Sequence, residues 1–379
     1  MFPGLTDERR MIRDLAAEFA RREIRPAAAR HDRESLFPAE IERKAREVGL
    51  VNLTAPEAYG GAGLGILDLV LVTEELAWAC VGITTAMSLN ALPVDVLLVA
   101  GDEEQRRRGI GRIVSDGEFA SYAVTEPAAG SDVAGIKARA ERRGDDYVLN
   151  GSKVWITNAS VASFFTVFAK TDPAAGHRGI SAFLVERDAP GLSVGNPLPK
   201  LGQKAAPACE MFMNDVVVPK GARLGAEGDG FRIAMKVFDR SRPMVAALGV
   251  GLLSRCLDES IAYACDRRTM GVPIIEHQAV AHKIAEMGMR AEAARLLTRQ
   301  AAALVDGGAR STLQASYAKA FAADGAMWAA VEAVQIFGGM GYSTEYPAEK
   351  LLRDAKGLQI YEGTSEIQRN IIARELARR

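Results

Sequence analysis

Cysteine and histidine are scarce in this chain of 379 residues, which contains four of each. The cysteines show no C-x-x-C spacing, so we expect reduced thiols rather than a disulfide framework or a zinc-binding motif. The closest histidines, His277 and His282, are five residues apart, whereas two zinc ligands on one helix face are typically about four apart. The sequence therefore predicts no metal site.

Net charge and long apolar runs are also missing. Lys+Arg (47) and Asp+Glu (48) leave a net charge of -1, without the basic surplus of proteins that act on nucleic acid or anionic membranes. No window approaches the about 18 uninterrupted apolar residues of a membrane-spanning helix. The charged opening segment, MFPGLTDERRMIRDLAAEF, is not typical of a signal peptide. We therefore predict a cytoplasmic protein that binds neither nucleic acid nor membrane.

Length and hydrophobic periodicity predict more than one structural unit. A chain of 379 residues is longer than the chains that usually fold around a single hydrophobic core. Apolar residues follow a helical spacing from Thr6 to about Val114, a period of two from about Phe119 to Pro219, and a helical spacing again from Gly230. We predict an α+β, mainly α fold with an N-terminal helical domain at 1–118, a small middle β domain of barrel or sandwich type at 119–228, and a C-terminal helical bundle domain at 229–379.

Two short glycine-containing patterns bear on the topology. Asn150-Gly151 lies between two β-type runs and predicts a two-residue hairpin turn, because both central positions of that turn need positive φ. GGAGLG at 60–65 follows no strand, and Ile66 stands where the last glycine of G-x-G-x-x-G belongs. Strands and helices do not alternate either, so a doubly wound dinucleotide fold is not predicted.

Two segments of the β region are candidates for holding a planar cofactor. In YAVTEPAAGSDVAG (122–135), a β-type run ends at Thr125 in a loop of small residues, whose free N–H groups and hydroxyls suit a ring edge or a pyrophosphate. The alternative is a plain proline-initiated turn. In KVWITNAS (153–160), Trp155 and Thr157 share one face of a strand, as an aromatic beside a hydroxyl. The alternative is that Trp155 covers the core of the β domain.

A third segment, LQIYEGTSEIQRNIIARELA (358–377), places Glu362 just before a helix. Ser365-x-x-Gln368 has the form of a capping box at the start of that helix. In a poorly solvated cleft, desolvation would raise the pKa of Glu362 toward a value that suits a general base. The alternative is a carboxylate that only complements the helix dipole.

Taken together, five segments resemble the signatures of the acyl-CoA dehydrogenase family, in that family's order and over nearly the whole chain. They are YAVTEPAAGSDVAG, KVWITNAS, DRRTMGVPIIEHQ, QIFGGMGYSTEYPAEKLLRD and IYEGTSEIQRNIIARE. The resemblance, which is to the short- and medium-chain type, implies non-covalently bound FAD and a C-terminal four-helix bundle. It also implies a homotetramer built as a dimer of dimers, an acyl-CoA substrate and an electron-transferring flavoprotein as partner.

The resemblance also assigns the FAD contacts. Thr157 would lie near flavin N5, the segment from Arg267 to Gln278 would reach the FAD of a neighbouring subunit, and the segment 335–339 would meet its adenosine portion. The full set of implied cofactor residues is Tyr122, Val124, Thr125, Gly130, Ser131, Trp155, Ile156, Thr157, Arg267, Thr269, Gln278, Gln335, Gly338, Gly339, Thr364 and Glu366.

For the substrate, VFDRSRP (237–243) matches the helix that lines the thioester channel in the family. The implied substrate-binding residues are Ser131, Asp239, Arg242, Arg310, Thr312, Gly363 and Arg374. Some family members carry the catalytic glutamate on this helix and a small residue in the YEG position. Here the helix has Ser241 and Arg242, and Glu362 is retained, so Glu362 is the predicted catalytic base. It would remove the α-proton while flavin N5 takes the β-hydride, giving a trans-2-enoyl-CoA.

The expected substrate is a straight short- to medium-chain acyl-CoA. The segment 85–94 corresponds to the floor of the family's acyl pocket, and its apolar or neutral side chains disfavour a dicarboxylyl-CoA. Two alternatives stay open. One is an oxidase of the same fold that passes electrons to O2, and the other is a non-catalytic protein that binds acyl-CoA or FAD, in which loss of the glutamate would be expected.

Overall fold

Residues 5–378 are described by a computed structural model, and their first part is helical. From residue 5 to the sheet the structure has seven α-helices: α1 (Asp7–Phe19), α2 (Arg25–Arg33), α3 (Ala39–Glu47), α4 (Ile66–Ala79), α5 (Val81–Ser88), α6 (Ala91–Ala100) and α7 (Glu103–Val114). A short π-helix, Ala20–Ile24, joins α1 to α2. The α5–α6 stretch, Val81–Ala100, is long and apolar enough to cross a membrane by length and composition, but most of its residues are buried inside the fold. This stretch is therefore part of the protein core.

The middle of the chain forms one sheet. Its strands are β1 (Phe119–Ala123), β2 (Arg139–Arg143), β3 (Asp146–Thr157), β4 (Ala162–Lys170), β5 (Ile180–Glu186), β6 (Leu192–Pro197), β7 (Ala208–Pro219) and β8 (Arg223–Leu224). The strand order is β6-β7-β3-β2-β4-β5-β8, and β1 pairs with β4 in parallel. Buried aromatic and β-branched side chains such as Phe165, Val167 and Phe183 fill the core beneath it.

The predicted hairpin at Asn150-Gly151 is wrong. These residues lie inside β3, where the pairing with β7 shifts register between Leu149 and Gly151. Gly151 has φ +139°, and a Cβ there would lie 2.8 Å from the Cα of Ala138. The dipeptide therefore forms a β-bulge. A β-bulge, like a hairpin turn, accommodates a glycine with positive φ. The chain reverses instead between Arg143 and Asp146, through Gly144 at φ +65°.

The last part of the chain is helical again. It contains α8 (Gly230–Asp266), α9 (Gln278–Asp306), α10 (Thr312–Phe337), α11 (Ala348–Leu358) and α12 (Ser365–Leu376), with a small two-stranded sheet of β9 (Arg268–Thr269) and β10 (Val272–Pro273). Buried alanines cover much of α10 and permit close packing against α8 and α9. A Cβ on Gly251 of α8 would lie 2.4 Å from the carbonyl oxygen of Glu74 in α4, so α8 contacts both helical parts of the molecule closely. The α+β, mainly α architecture is confirmed.

Asp306 joins the end of α9 to the start of α4. Its carboxylate accepts from the backbone N–H groups of Ile66 (2.6 Å) and Leu67 (2.9 Å), which lie at an N-terminus that favours an anion. We expect Asp306→Ala to lower the free energy of unfolding by about 1–2 kcal/mol, because two buried donors lose their acceptor. Urea unfolding of the variant measures this loss. Asp306→Asn, which keeps one acceptor oxygen, is expected to fall in between, and wild-type stability of the alanine variant would contradict the assignment.

Candidate active site

The loop that follows β1 is held by a buried ion pair. The ammonium of Lys153, with no exposed surface, donates to Oε1 of Glu126 (2.8 Å) and to the carbonyl oxygen of Val124 (2.9 Å). The Glu126 carboxylate also accepts from the backbone N–H groups of Lys137 (2.5 Å) and Ala138 (3.0 Å). Burial lowers the pKa of Lys153 to about 8. These contacts fix the end of the strand where Val124 and Thr125 are predicted to meet the cofactor.

The proline-initiated turn in this loop is present, because Glu126 and Ala129 exchange two backbone hydrogen bonds. It leaves the next residues open: Gly130 and Ser131 are exposed, and no atom lies within 4 Å of where a Cβ on Gly130 would be. The turn and the predicted open backbone therefore coexist in one loop. Such free N–H groups and a hydroxyl suit an anionic pyrophosphate.

Trp155 does not cover the core of the β region. Its side chain is 54% exposed, and its backbone is left-handed, with φ +61°. It lies at a second register shift of β3, between Lys153 and Ile156, which interrupts the strict alternation of faces. Ile156 is buried beside it, and Thr157 is half-buried. An exposed indole next to a hydroxyl is the kind of surface that a planar heteroaromatic ring covers, so these residues fit a flavin.

Glu362 lies on a strained turn between α11 and α12. It has φ +56°, a left-handed conformation that is uncommon for a residue other than glycine, and Gly363 follows at φ +86°. Nε2 of Gln368 donates to the carbonyl oxygens of Glu362 (3.2 Å) and Gly363 (3.1 Å). The predicted capping box is wrong in its register, because the N-cap of α12 is Thr364, whose hydroxyl accepts from the N–H of Ile367.

The carboxylate of Glu362 points to α8 and not to the start of α12. Ser241 donates its hydroxyl to Oε2 of Glu362 at 2.6 Å. Desolvation raises the pKa of Glu362, while the Ser241 hydrogen bond and the cations of Arg242 and Lys319 act in the opposite direction. The alternative in which this side chain complements the α12 dipole is therefore not supported. A carboxylate with a raised pKa, held by a single hydroxyl, suits a general base.

Removing the Ser241 hydroxyl tests this electrostatic balance. The hydroxyl stabilises the charged carboxylate, so Ser241→Ala should raise the pKa of Glu362 further. The acid limb of the pH profile of kcat/KM is then expected to move to higher pH, with lower activity below it because less Glu362 is ionised. Ser241→Thr keeps the donor and serves as the matched control. An alanine variant with an unshifted acid limb would show that the contact has no part in tuning Glu362.

Five of the seven predicted substrate residues form two groups. Asp239 on α8 accepts from Arg242 (2.9 Å) and from the hydroxyl of Thr312 (2.7 Å), so these three are brought together. Arg242 is buried, and its Nε has no hydrogen-bond partner among the described residues. The hydroxyl of Tyr122 is likewise buried without such a partner. The charge of Glu362 acts on both groups, and buried donors without a partner beside a carboxylate are typical of a site that a ligand completes.

The second group lies at the start of α10 and on α12. Arg310 forms a salt bridge of 2.6 Å with Glu375, and Arg374 approaches the same carboxylate at 3.9 Å. Both arginines are exposed, whereas Glu375 is buried. Ser131 lies apart from this group, in the exposed loop after β1. Gly363 is half-buried in the Glu362 turn.

The remaining predicted cofactor residues lie on the surface of the helical bundle. In the described part of the chain, no hydrogen bond joins them to the predicted cofactor residues at 122–131 and 155–157. The hydroxyl of Thr269 lies 2.8 Å from Nε2 of His277 at the α8–α9 connection. Their exposed members are Arg267, Thr269, Gln278, Gln335, Gly338, Gly339 and Glu366. Completion of one cofactor site by a neighbouring subunit stays a prediction.

Several residues that hold the site were not predicted from the sequence. Lys319 on α10 is fully buried and donates to the carbonyl oxygen of Gly363 at 2.6 Å. Gln203, from the loop between β6 and β7, accepts from the hydroxyls of Tyr361 (3.2 Å) and Thr85 (3.3 Å). The signal for Lys319 was its place in an alanine-rich helical stripe, where a lone cation needs a buried partner. A glutamine in a polar loop carried no comparable signal.

Comparison with known proteins identifies the family. Residues 6–117, 121–216 and 228–377 match the models of the acyl-CoA dehydrogenase N-terminal, middle and C-terminal domains. The chain is 42% identical over 373 residues to cyclohexane-1-carbonyl-CoA dehydrogenase of Geobacter metallireducens, covering 98% of each. Butyryl-CoA dehydrogenase from Megasphaera elsdenii has a similar structure, with a TM-score of 0.96, 36% identity and full coverage of both chains. The prolyl acyl carrier protein oxidase AnaB matches with a TM-score of 0.95 and 33% identity, over 98% of this chain and 100% of its own. The chain therefore belongs to the acyl-CoA dehydrogenase family and is an FAD-dependent oxidoreductase.

Proposed function

We propose that this enzyme converts a saturated acyl-CoA to the trans-2-enoyl-CoA, with Glu362 as the base that removes the α-proton. The observation that carries the proposal is the environment of Glu362: a half-buried carboxylate with a raised pKa, bonded to Ser241 and near the cations of Arg242 and Lys319. Such a group can accept a proton without being permanently neutralised by an ion pair.

The chain's own residues supply geometry and electrostatics for this step. The α-proton of the thioester passes to the Glu362 carboxylate, and the backbone N–H of Glu362 stabilises the developing enolate oxygen. Bound FAD would supply the acceptor for the β-hydride, so that one proton and one hydride would account for the two hydrogens removed. Val124, Thr125, Trp155 and Thr157 orient the cofactor. Asp239, Arg242 and Thr312 bind the CoA side of the thioester.

A straight short- to medium-chain acyl-CoA is the proposed substrate. Met87 and Leu92 of the predicted pocket floor are buried, and Ser88 and Leu89 are half-buried, so no cation is offered by this segment to a second carboxylate. The next buried charge along α6, Asp95, is an anion paired with Arg240 at 2.7 Å. The relative from Megasphaera elsdenii is named for a straight short-chain substrate, butyryl-CoA.

The assembly and the electron acceptor are proposed on family grounds. We infer an electron-transferring flavoprotein as acceptor and a homotetramer, a dimer of dimers, in which the surface set from Arg267 to Gly339 completes the FAD site of a neighbouring subunit. The domain boundaries proposed above, at 118/119 and 228/229, follow the changes from helix to strand and back. Sedimentation of the FAD-loaded protein tests the assembly, and a monomer with full FAD content would contradict it.

An anaerobic absorbance titration tests the reaction and also shows which acyl chains the enzyme accepts. The purified enzyme is titrated with butyryl-, octanoyl- and palmitoyl-CoA, with glutaryl- and isovaleryl-CoA for comparison. Flavin bleaching by butyryl- or octanoyl-CoA, with formation of the enoyl-CoA, is the expected result. Bleaching by none of the five would refute the proposed substrate class, and a preference for glutaryl- or isovaleryl-CoA would refute the straight-chain assignment.

An oxidase is the second candidate, since the similar chain AnaB is an oxidase. The two functions differ in how fast O2 reoxidises the reduced enzyme. A dehydrogenase should reoxidise slowly in air and rapidly with an electron-transferring flavoprotein. Fast peroxide formation in a stopped-flow experiment would identify an oxidase instead.

A further inference from the structure

Lys319 is a buried cation that the dehydrogenation step does not itself require. It lies on α10 between buried alanines, with no exposed surface, and its ammonium donates to the carbonyl oxygen of Gly363 at 2.6 Å. Among the described residues it forms no salt bridge. A buried ammonium without an anionic partner is costly, so the position of Lys319 beside Glu362 needs a functional explanation.

The carbonyl that Lys319 contacts belongs to the strained turn of the base. Glu362 has φ +56°, and such a conformation persists only where surrounding contacts hold it. Gln368 binds the carbonyl oxygens of Glu362 and Gly363 from α12, Ser241 binds the carboxylate from α8, and Lys319 binds the Gly363 carbonyl from α10. The turn is thus held from three helices, and among residues 5–378 only Lys319 brings a positive charge to its backbone.

Resting on the proposed role of Glu362 as base, we propose that Lys319 is a positioning residue for it. The ammonium of Lys319 holds the Glu362–Gly363 turn in its left-handed conformation, and its charge keeps the Glu362 carboxylate ionised and ready to accept the α-proton.

The charges around the turn make Lys319 the cation best placed for this role. Arg242 on α8 is already paired with Asp239 at 2.9 Å, whereas Lys319 contacts only a neutral carbonyl. The other charged groups that act on Lys319 or Glu362 are anions: Asp95 on α6, Asp324 on α10 and Glu366 on α12. Burial lowers the pKa of Lys319 to about 8, and the charge of Glu362 opposes that shift. Lys319 in turn lowers the pKa of Glu362, so its loss should raise it.

The test isolates proton transfer from redox chemistry. The FAD-loaded enzyme is mixed in D2O with 3-thiaoctanoyl-CoA, in which sulfur replaces the β-carbon, so no hydride can leave and α-hydrogen exchange seen by NMR reports the base alone. Lys319→Met is expected to slow exchange about tenfold near neutral pH and to move the acid limb to higher pH. Lys319→Arg restores charge and donor and should restore both. Lys319→Gln keeps a donor without charge, so its acid limb should move as in the methionine variant.

A matched control separates this role from general stabilisation of the bundle. Lys283→Met removes a half-buried lysine that pairs with Glu332 between α9 and α10, and it should leave the exchange profile unchanged. If Lys319→Met does not fold, the glutamine and arginine variants decide the question. Wild-type exchange and pH profile in the methionine or glutamine variant would overturn the role of Lys319. Persisting exchange in Glu362→Gln would instead overturn the proposed base.

Discussion

Glu362→Gln is expected to retain FAD and fold but to lose dehydrogenation, with flavin reduction by octanoyl-CoA slowed by about 10²–10⁴-fold. The amide is nearly the same size and can still accept from Ser241, so the contact of 2.6 Å and the turn are preserved. It cannot accept the α-proton, because an amide oxygen is a far weaker base than a carboxylate. Anaerobic stopped-flow absorbance measures the rate.

Two observations make this result interpretable. FAD content and the melting temperature of the glutamine variant should match the wild type, which would show that the loss is chemical. The second control is Glu104→Gln, an exposed carboxylate in the first turn of α7, which should reduce flavin at nearly the wild-type rate. Near-wild-type reduction in Glu362→Gln would place the base on another residue.

Lys153→Met is expected to cost the most stability of the changes considered, about 3–5 kcal/mol of the free energy of unfolding. The variant leaves the Glu126 carboxylate, 6% exposed, without its ammonium partner in the interior. The carbonyl of Val124 loses its donor as well, and with it the strand end predicted to hold the flavin. We therefore also expect weaker FAD binding, measured by fluorescence titration of the apoprotein alongside urea unfolding.

The double variant Lys153→Met, Glu126→Gln tests the cause of that loss. Removing the stranded charge should recover part of the stability, because an uncompensated carboxylate is the larger part of the penalty. An exposed pair, Arg107 with Glu103, provides the contrast, since Arg107→Met should change stability by no more than about 1 kcal/mol. A single Lys153 variant as stable as wild type would show that the pair does not support the loop.

The fold could be predicted because the hydrophobic period changes along the chain at the same places where helices give way to strands and return. β1 begins at Phe119 and α8 at Gly230, close to the changes seen in the sequence. Turn-forming dipeptides predicted the structure less reliably than the hydrophobic period did. Asn150-Gly151 satisfies both a hairpin and a bulge, and only the long pairing of β3 with β7 decides between them. Tertiary pairing is not encoded in a dipeptide.

Site residues could be predicted where they lie in a recognisable local motif. They could not be predicted where they contact the site from a distant part of the sequence. Glu362 and Trp155 lie in segments whose local pattern is distinctive. Lys319 and Gln203 act on the same turn from 44 and 158 residues away in sequence, so no local spacing connects them to it. The capping box failed by one residue because Thr364 competes with Ser365 for the N-cap position, and both are good caps.

Removal of the α-proton by Glu362 is best tested by single-turnover flavin reduction with octanoyl-CoA deuterated at both α-positions. We expect the wild type to be reduced more slowly by the deuterated substrate than by unlabelled octanoyl-CoA, because the bond from the α-carbon to hydrogen breaks in the step observed. We expect almost no reduction of Glu362→Gln by either substrate. Reduction of the glutamine variant at the wild-type rate, with the same sensitivity to deuterium, would contradict the role of Glu362 and assign proton removal to a different group.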